Sequence, residues 1–307
     1  MVKPSQLRHS RNSTDHPYPF EYMSDSTQQF SQQGSDLYVP DAQNEALPRT
    51  THLGVGAHQD DLEFMAMHGI LECYEKDDQW FGGVTCTNGA GSARTGEFAN
   101  VTDEAMQAIR AEEQREASRV GQFSFMAQLH LPSSSIKDPT NDDLENDLVK
   151  ILTKSQPEVV YTHNLADKHS THIAVAASLI KAIRRLPKDQ RPKKLIGCEV
   201  WRDLDWMPDS KKIVMDLSSR PELATKLNGL FVSQISGGKR YDLAVEGRRR
   251  ANATFFDSHS VDESQSVAFG IDLTPLIEDD DLSPEVYILS FIAEFQQDVH
   301  NQVSTFF

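Results

Sequence analysis

The sequence predicts an α/β fold of the Rossmann-like type, with a mostly parallel sheet, helices on both faces and a site at the carboxyl ends of the strands. From residue 51 onward, short apolar segments alternate with longer amphipathic helical patterns, which is typical of parallel sheets built from crossover units. Histidine and aspartate residues directly follow two of the predicted strands. The chain has 307 residues, of which 38% are hydrophobic and 25% charged, enough for one large water-soluble domain.

The predicted elements follow one another in a regular order. Strands are expected at 51–57, 80–87, 123–131, 158–163 and 193–201. Helical patterns fill the intervals at 62–76, 104–121, 141–155 and 170–185. Thr102 or Asp103 is expected to cap the second of these helices, and Gly121 to end it. Beyond about residue 210 we expect a strand in KKIVMDL, a helix in PELATKLNGLFVSQI and an irregular C-terminal segment.

The first 48 residues differ in composition from the rest of the chain. They are rich in Ser, Gln, Asp, Asn and Pro and show no sustained hydrophobic period. Such a segment buries too little apolar surface to offset the entropy lost on ordering. Residues 1–48 are therefore predicted to be a polar tail, or an arm laid over the domain or a neighbouring subunit, and residues 49–307 to be the folded α/β domain.

Charge and composition exclude several classes of partner. The net charge of −16 disfavours duplex DNA and anionic membranes, since both require clustered Lys and Arg. No apolar run reaches the roughly 20 residues that span a bilayer, and the first 20 residues lack the apolar segment of a secretory signal. Cys73, Cys86 and Cys198 are well separated and form no CxxC pair, so we expect reduced thiols and a cytoplasmic protein.

The segment GAHQDDLEF, residues 56–64, places charge where a buried strand turns into a helix. In an open parallel sheet, ligands bind beyond the carboxyl ends of the strands, so these side chains are expected in a crevice. His58 and Asp61 are three residues apart across the turn, and this spacing lets both donate to one cation. Asp60 is then free to accept a proton from water.

A second cluster follows the fourth predicted strand. The segment YTHNLADKHSTHIAV contains His163, Asp167, His169 and His172 at the same sheet edge. Two nitrogen or oxygen ligands from one loop and one from the other would make a three-ligand zinc site with a position open for water. Isolated Asp and His residues near a helix N-terminus are often only caps, but two such clusters on one edge favour a metal site.

At these two motifs the sequence resembles the PIG-L/LmbE-like deacetylases. AHQDDLE is similar to their AHPDD signature, and DKHSTHIAV to their HPDH signature. TCTNGAG followed by AIRAEEQREAS is similar to their strand-two threonine, glycine loop and R-x-x-E helix, and KLNGLFVSQI to a later helix. The resemblance covers residues 51 to about 240. It implies a zinc-dependent enzyme that hydrolyses N-acetyl groups, mostly on N-acetylglucosamine conjugates.

Carried over position by position, the resemblance implies a zinc site and a general base. The zinc ligands would be His58, Asp61 and His172, with another divalent transition metal as the alternative. Asp60 would be the general base, and His169 would charge-stabilise or hydrogen-bond the oxyanion of the tetrahedral intermediate. Arg110, at the R-x-x-E position, would contact the substrate's sugar or head group.

Two positions depart from the family pattern. Gln59 replaces the usual Pro, which loosens the turn without removing a chemical group. Thr171 stands where the second motif usually has Asp, a residue that can orient the neighbouring histidine. Asp167 is the candidate to replace it, two residues before His169. Without a supporting carboxylate, the pKa of His169 should be lower and its catalytic role weaker.

Further expectations concern substrate and partners. The glycine loop after the second strand is expected to face the substrate through Asn88, and His163 is a second candidate contact. The expected partner is a small aminosugar-type molecule and not a nucleic acid. The sequence leaves open whether the chain forms a homo-oligomer. Two alternatives remain: a zinc amidohydrolase acting on a non-sugar amide, and a non-catalytic Rossmann-like module that binds a sugar or nucleotide.

Overall fold

A computed structural model describes residues 30–307, which form one eight-stranded sheet with helices on both faces. The strands are β1 (Asp36–Tyr38), β2 (His52–Gly56), β3 (Phe81–Thr87), β4 (Phe125–Leu131), β5 (Val159–His163), β6 (Lys194–Cys198), β7 (Lys212–Asp216) and β8 (Val267–Asp272). The helices are α1 (Asp61–Met65), α2 (Met67–Cys73), α3 (Asp103–Val120), α4 (Ser133–Ile136), α5 (Asp143–Ser155), α6 (Ser170–Arg184), α7 (Pro221–Asn228), α8 (Val232–Ile235), α9 (Tyr241–Phe255), α10 (Pro275–Glu278) and α11 (Pro284–Ser304).

The strand order places the two polar motifs side by side. The sheet runs β1-β4-β3-β2-β5-β6-β8-β7, and the five strands from β4 to β6 are mutually parallel. From β2 the chain winds one way to β3 and β4 and then crosses back to β5 and β6 on the other side. The crevice of such a sheet opens where the winding reverses, between β2 and β5. The predicted fold class is confirmed.

Two apolar cores cover the sheet. On one face, strand residues such as Val55 and Val84 pack with α5 and α6 through side chains that include Leu148 and Leu179. On the other face, Phe81, Phe123 and Met126 pack against α1, α2 and the end of α3. Burial on both faces explains why the parallel strands are continuous apolar runs instead of alternating ones.

Helix boundaries agree with the sequence where strong caps are present. Thr102 accepts a hydrogen bond from the backbone N–H of Ala105 and caps α3, which ends before Gly121 as expected. The predicted helix 62–76 is instead two helices, because Ala66 leaves helical geometry between α1 and α2. The predicted helix 221–235 is likewise divided into α7 and α8, and Gly229 ends the first of them.

The two ends of the described chain hold more structure than the sequence indicates. Residues 1–29 of the predicted tail lie outside the described residues, but β1 pairs antiparallel with β4, and Phe30 and Leu47 are buried in the core. The C-terminal segment, expected to be irregular, contains α9, β8 and α11. β8 pairs antiparallel with both β6 and β7, a long-range arrangement that local periodicity does not encode.

Neither a membrane span nor a disulfide is found among residues 30–307. No helix in this range combines the length and apolarity that crossing a bilayer requires. Cys73, Cys86 and Cys198 are all free and buried, as expected for core thiols.

The core makes a direct prediction about stability. Leu179 on α6 is fully buried, and Leu179→Ala should lower the free energy of unfolding by about 2–5 kcal/mol because it leaves a cavity. Leu243→Ala on α9 is the control, because Leu243 is 54% exposed and should change stability by less than about 0.5 kcal/mol. Urea unfolding measures both, and equal losses would contradict the assigned core.

Candidate metal centre

His58 and Asp61 are held together by the turn that follows β2. The backbone N–H of His58 donates to Oδ2 of Asp61 at 2.6 Å, which closes the turn at the start of α1. Asp61 is 3% exposed, so its carboxylate lies inside the crevice and not on the surface. Oδ2 of Asp61 also lies 3.2 Å from Nδ1 of His58, so both side chains point to one place.

Asp60 occupies a strained backbone position between these two residues. Its φ of 100° lies in the left-handed region, which costs a non-glycine residue about 1–3 kcal/mol and is concentrated at functional sites. Two contacts hold the turn: Gln114 Oε1 accepts from the Asp60 N–H at 3.1 Å, and Gln59 O accepts from Arg110 Nη2 at 2.6 Å. The strain therefore directs the Asp60 carboxylate toward the crevice.

Arg110 is the charge partner of Asp60. Its guanidinium is almost fully buried, with Nη2 3.6 Å from Asp60 Oδ2, and Nη1 donates to the backbone oxygen of Gly89. Arg110 lines the cavity, but these hydrogen bonds direct its donors to the turn around Asp60. The structure thus gives Arg110 a positioning contact in addition to the substrate contact that the resemblance implies.

Asp167 supports His172, whereas the sequence had placed it beside His169. Oδ2 of Asp167 lies 3.0 Å from Nδ1 of His172, and both side chains are fully buried. Oδ1 of Asp167 accepts the N–H of Lys168 and of Arg202, which fixes the carboxylate in place. A carboxylate on the far nitrogen orients a histidine and makes it a stronger metal ligand.

Three donor atoms from the two segments converge at one point. Nε2 of His172 lies 3.3 Å from Nδ1 of His58 and 3.5 Å from Oδ2 of Asp61, while the latter two atoms are 3.2 Å apart. Tetrahedral zinc with bonds of about 2.0–2.1 Å requires ligand atoms about 3.3 Å apart. The predicted triad His58, Asp61 and His172 therefore fits a three-ligand zinc site.

The other two histidines lie on opposite sides of this triad. His163 is fully buried and stacks on His172 with ring centroids 3.8 Å apart, and its Nε2 accepts the N–H of Ala57. The same Nε2 lies 3.4 Å from Oδ2 of Asp61, so His163 belongs to the buried cluster, but it is not among the residues that line the cavity. His169 lines the cavity, and its nitrogen falls within 4.8 Å of donor atoms of His58 and His172.

Burial and neighbouring charges set the protonation of these groups. Burial raises the pKa of Asp60 well above its usual value, although Arg110 opposes the shift. Burial also acts on Asp61, but its interactions with the His172, His163 and His58 imidazoles hold the pKa of that carboxyl well below its usual range. Burial and the charge of His172 lower the pKa of His169 to about 4, so His169 is neutral at pH 7.

An aromatic wall faces the triad across a cavity of about 700 Å³. Trp201 lies 6.0 Å from the ring of His169 with planes 30° apart, and its edge meets Tyr241. Tyr241 in turn contacts Phe64. Sequence analysis missed Trp201 and Tyr241, because the segments after β6 and at the start of α9 carry no metal-binding pattern and reach the site only through folding.

The glycine loop forms the opposite wall. Oδ1 of Asn88 accepts from the N–H of Ala90, so Asn88 shapes the turn, while Gly89 and Gly91 line the cavity. Gly89 has φ of +71°, and a Cβ there would lie 2.4 Å from Oε1 of Gln59. Gln59 cannot easily move away, because its Nε2 donates to Thr87 O and Gln128 Oε1.

Comparison with known proteins supports the resemblance. Residues 53–183 match the family model of PIG-L, described as GlcNAc-PI de-N-acetylase. No curated protein matches the chain. The family match includes both histidine–aspartate motifs, and the resemblance that the sequence predicts is confirmed.

Three solved structures have a similar fold. The conserved protein TT1542 from Thermus thermophilus is 18% identical, with a TM-score of 0.58 over 74% of this chain and 96% of its own. N,N'-diacetylchitobiose deacetylase from Pyrococcus horikoshii is 18% identical, with a TM-score of 0.58 over 75% and 86%. GalB, the 4-carboxy-2-hydroxymuconate hydratase from Pseudomonas putida, is 17% identical, with a TM-score of 0.56 over 73% and 96%. At these identities the likeness establishes the fold.

The glycine loop provides a test of the turn around Asp60. Gly89→Ala should lower the free energy of unfolding by about 1–3 kcal/mol, because it combines a left-handed backbone with a clash against Gln59. Gly91→Ala is the matched control, since a Cβ at Gly91 would meet no atom within 4 Å. Thermal and urea unfolding compare the two, and a neutral Gly89→Ala would contradict the packing described.

The contact between Asp167 and His172 predicts an effect on metal affinity. Asp167→Asn should weaken zinc binding by about 10–100-fold, because the amide cannot support the imidazole as a carboxylate does. Asp203→Asn, at an exposed position two residues after Trp201, is the control and should leave the affinity unchanged. Competition with a chromophoric chelator measures both constants. Equal affinities would show that Asp167 only organises its loop.

Proposed function

We propose that this chain, a member of the PIG-L family over residues 53–183, is a zinc-dependent N-deacetylase that acts on a small N-acetylglucosamine-type conjugate. One observation carries the proposal: the tetrahedral spacing of His58, Asp61 and His172, with Asp60 beside them in a cavity. Such a cavity, of about 700 Å³, falls within the usual size range of small-molecule sites.

The donor set determines what chemistry the metal would contribute. Two neutral imidazoles and one carboxylate are a common catalytic zinc set that leaves a coordination position open. When bound there, zinc lowers the pKa of a coordinated water toward about 7 and polarises an amide carbonyl. The remaining requirements of amide hydrolysis, which are proton transfer and charge stabilisation, fall to the side chains around the triad.

Asp60 is the proton acceptor in this proposal. Its carboxylate lies one residue from Asp61 and is not needed to complete the triad. Burial raises the pKa of Asp60 well above its usual value, the direction that suits a group that accepts and then donates a proton. Arg110, 3.6 Å away, opposes that shift and so favours the ionised carboxylate, which takes the proton of the attacking water. Asp60 then returns that proton to the departing amine.

His169 supports the developing negative charge on the substrate oxygen. A pKa of about 4 makes His169 neutral at pH 7, so it acts as a hydrogen-bond donor and not as a cation. Its Nδ1 is buried without a protein hydrogen-bond partner, so a ligand can supply one. Asp167 accepts the backbone N–H of His169, but its other carboxylate oxygen contacts the His172 ring, so a neutral His169 contributes less than an imidazolium would give.

The aromatic wall supports a sugar as the substrate. Trp201 and Tyr241 present ring faces and edges to the cavity, and aliphatic C–H faces of a pyranose pack well on such surfaces. A pyranose that packs its C–H face on these rings would place its acetamide near the triad. A non-sugar amide with a flat apolar face remains the nearest competing substrate.

A second function is suggested by one structural relative. The similarity to a hydratase shows that this fold is compatible with addition of water to a substrate other than an amide. Measuring acetate release from a panel of N-acetylglucosamine derivatives distinguishes a deacetylase from a hydratase, because hydration releases no acetate. Release of acetate at a rate that depends on zinc supports the deacetylase.

Single substitutions test the assigned roles. Asp60→Asn should retain stoichiometric zinc while kcat falls by about 10²–10⁴-fold, the usual size of a general-base effect. His172→Ala should lose the metal, because one of three ligands is gone. Metal analysis of the purified variants measures how much zinc each one retains. An Asp60→Asn protein without metal would show that the roles of Asp60 and Asp61 are reversed.

A further inference from the structure

The mouth of the cavity is basic, although the chain is strongly acidic. The chain has 30 Lys and Arg against 46 Asp and Glu, yet this one cavity is lined by four cationic side chains in addition to Arg110. They are Lys137, Lys168, Lys239 and Arg248. They come from four separate segments: the end of α4, the loop before α6, the loop before α9, and α9 itself. Folding has therefore gathered them from distant parts of the sequence.

The three lysines of this group are not neutralised by carboxylates. Within residues 30–307, Lys137, Lys168 and Lys239 take part in no ion pair. Other exposed lysines do: Lys181 lies 2.9 Å from Glu145, and Lys193 3.0 Å from Glu158. The lysines at the cavity mouth thus keep their charge available to a ligand.

Arg248 has a different role from the three lysines. It donates to the backbone oxygen of Val200, the residue before Trp201. It also helps to offset the charge of buried Glu199, whose carboxylate accepts from Asn252 and from the Phe269 N–H. Arg248 therefore holds the segment that carries Trp201, and its charge adds to the positive field of the mouth.

The lysines lie near the triad but outside it. Nζ of Lys239 is 5.7 Å from the centre of the Trp201 ring, and Trp201 stacks beside His169. Lys168 immediately precedes His169, and Lys137 lies on the wall formed after β4. A sugar resting on Trp201 with its acetamide at the triad would thus have positive charge around its remaining substituents.

We propose that the substrate carries an anionic group, a phosphate or a carboxylate, away from its acetamide, and that Lys137, Lys168 and Lys239 bind it. The inference deepens the proposed function and rests on it. A neutral conjugate would gain nothing from unpaired lysines, whereas an anion approaching a chain of net charge −16 needs a local positive field. The three lysines supply that field at the cavity, where their side chains are exposed to solvent.

The test compares three sugars that differ in one substituent: N-acetylglucosamine, its 6-phosphate and its 6-carboxylate. The wild-type enzyme should show a kcat/KM at least about tenfold higher for one or both anionic sugars, with the advantage shrinking as salt screens the charges. The phosphate and carboxylate arms identify which anion is preferred. Equal values for all three sugars would overturn the inference.

Lysine substitutions test whether the preference for anionic sugars depends on the lysines at the cavity mouth. Lys168→Ala and Lys239→Ala should each reduce the ratio of kcat/KM for the anionic sugar to that for the neutral sugar by about two- to fivefold, as expected for exposed charges. Lys226→Ala on α7 removes an exposed lysine away from the cavity and is the matched control; its ratio should stay as in the wild type. An unchanged ratio in both mouth variants would contradict the proposal.

Binding without turnover separates this inference from the proposed function. Calorimetry with the Asp60→Asn protein should show that the 6-phosphate binds more tightly than the neutral sugar, and that Lys239→Ala in that background reduces the difference by about two- to fivefold. If no sugar is hydrolysed but this difference is found, the deacetylase assignment fails and the anion site stands. If acetate is released equally from all sugars, the assignment stands and the anion site fails. Inorganic phosphate that binds as tightly as the sugar phosphate would overturn the role in substrate recognition.

Discussion

The convergence of His58, Asp61 and His172 on one point is the constraint on which the rest of the site depends. Their donor atoms come from two loops that are more than 100 residues apart in the chain and lie 3.2–3.5 Å from one another. Two lone-pair nitrogens and a carboxylate oxygen this close are costly to bury without a cation or shared protons. The parallel strands β2 and β5 make the arrangement feasible, because they end at adjacent positions on the same edge.

Several buried polar groups hold this arrangement without joining it. Asp167 orients His172 from one side, and His163 lies behind the triad with its lone pair taken by a backbone N–H. Gln114 and Arg110 hold the strained turn at Asp60, and Gln59, which replaces a proline of the family pattern, adds two side-chain hydrogen bonds. The strain at Asp60 persists because its surroundings leave the turn no alternative.

The cavity shows how a shared fold can hold different chemistry. The sheet and its switch point are common to a deacetylase and a hydratase among the structural relatives, so the fold alone does not specify the reaction. Segments outside the parallel core also line the cavity: the glycine loop after β3, the Trp201 segment after β6 and the helix α9. The Trp201 segment and α9 bring aromatic rings to the cavity, while the unpaired lysines come from the loops that follow α4 and precede α6 and α9.

The sequence by itself determined the order of the parallel elements, the sheet edge that holds the candidate site, and the residues His58, Asp61 and His172 that we propose as metal ligands. These are local signals, because strand periodicity, helix caps and the spacing of His58 to Asp61 all lie within a few residues. Only the tertiary structure decided that Asp167 contacts the ring of His172 and not that of His169, and that His163 is buried. It also decided that β8 joins the sheet. The meeting of Trp201, Tyr241 and the three lysines at the cavity likewise depends on the tertiary structure. Each of these depends on contacts between distant segments, and the energy of such contacts is set by packing that no local pattern records.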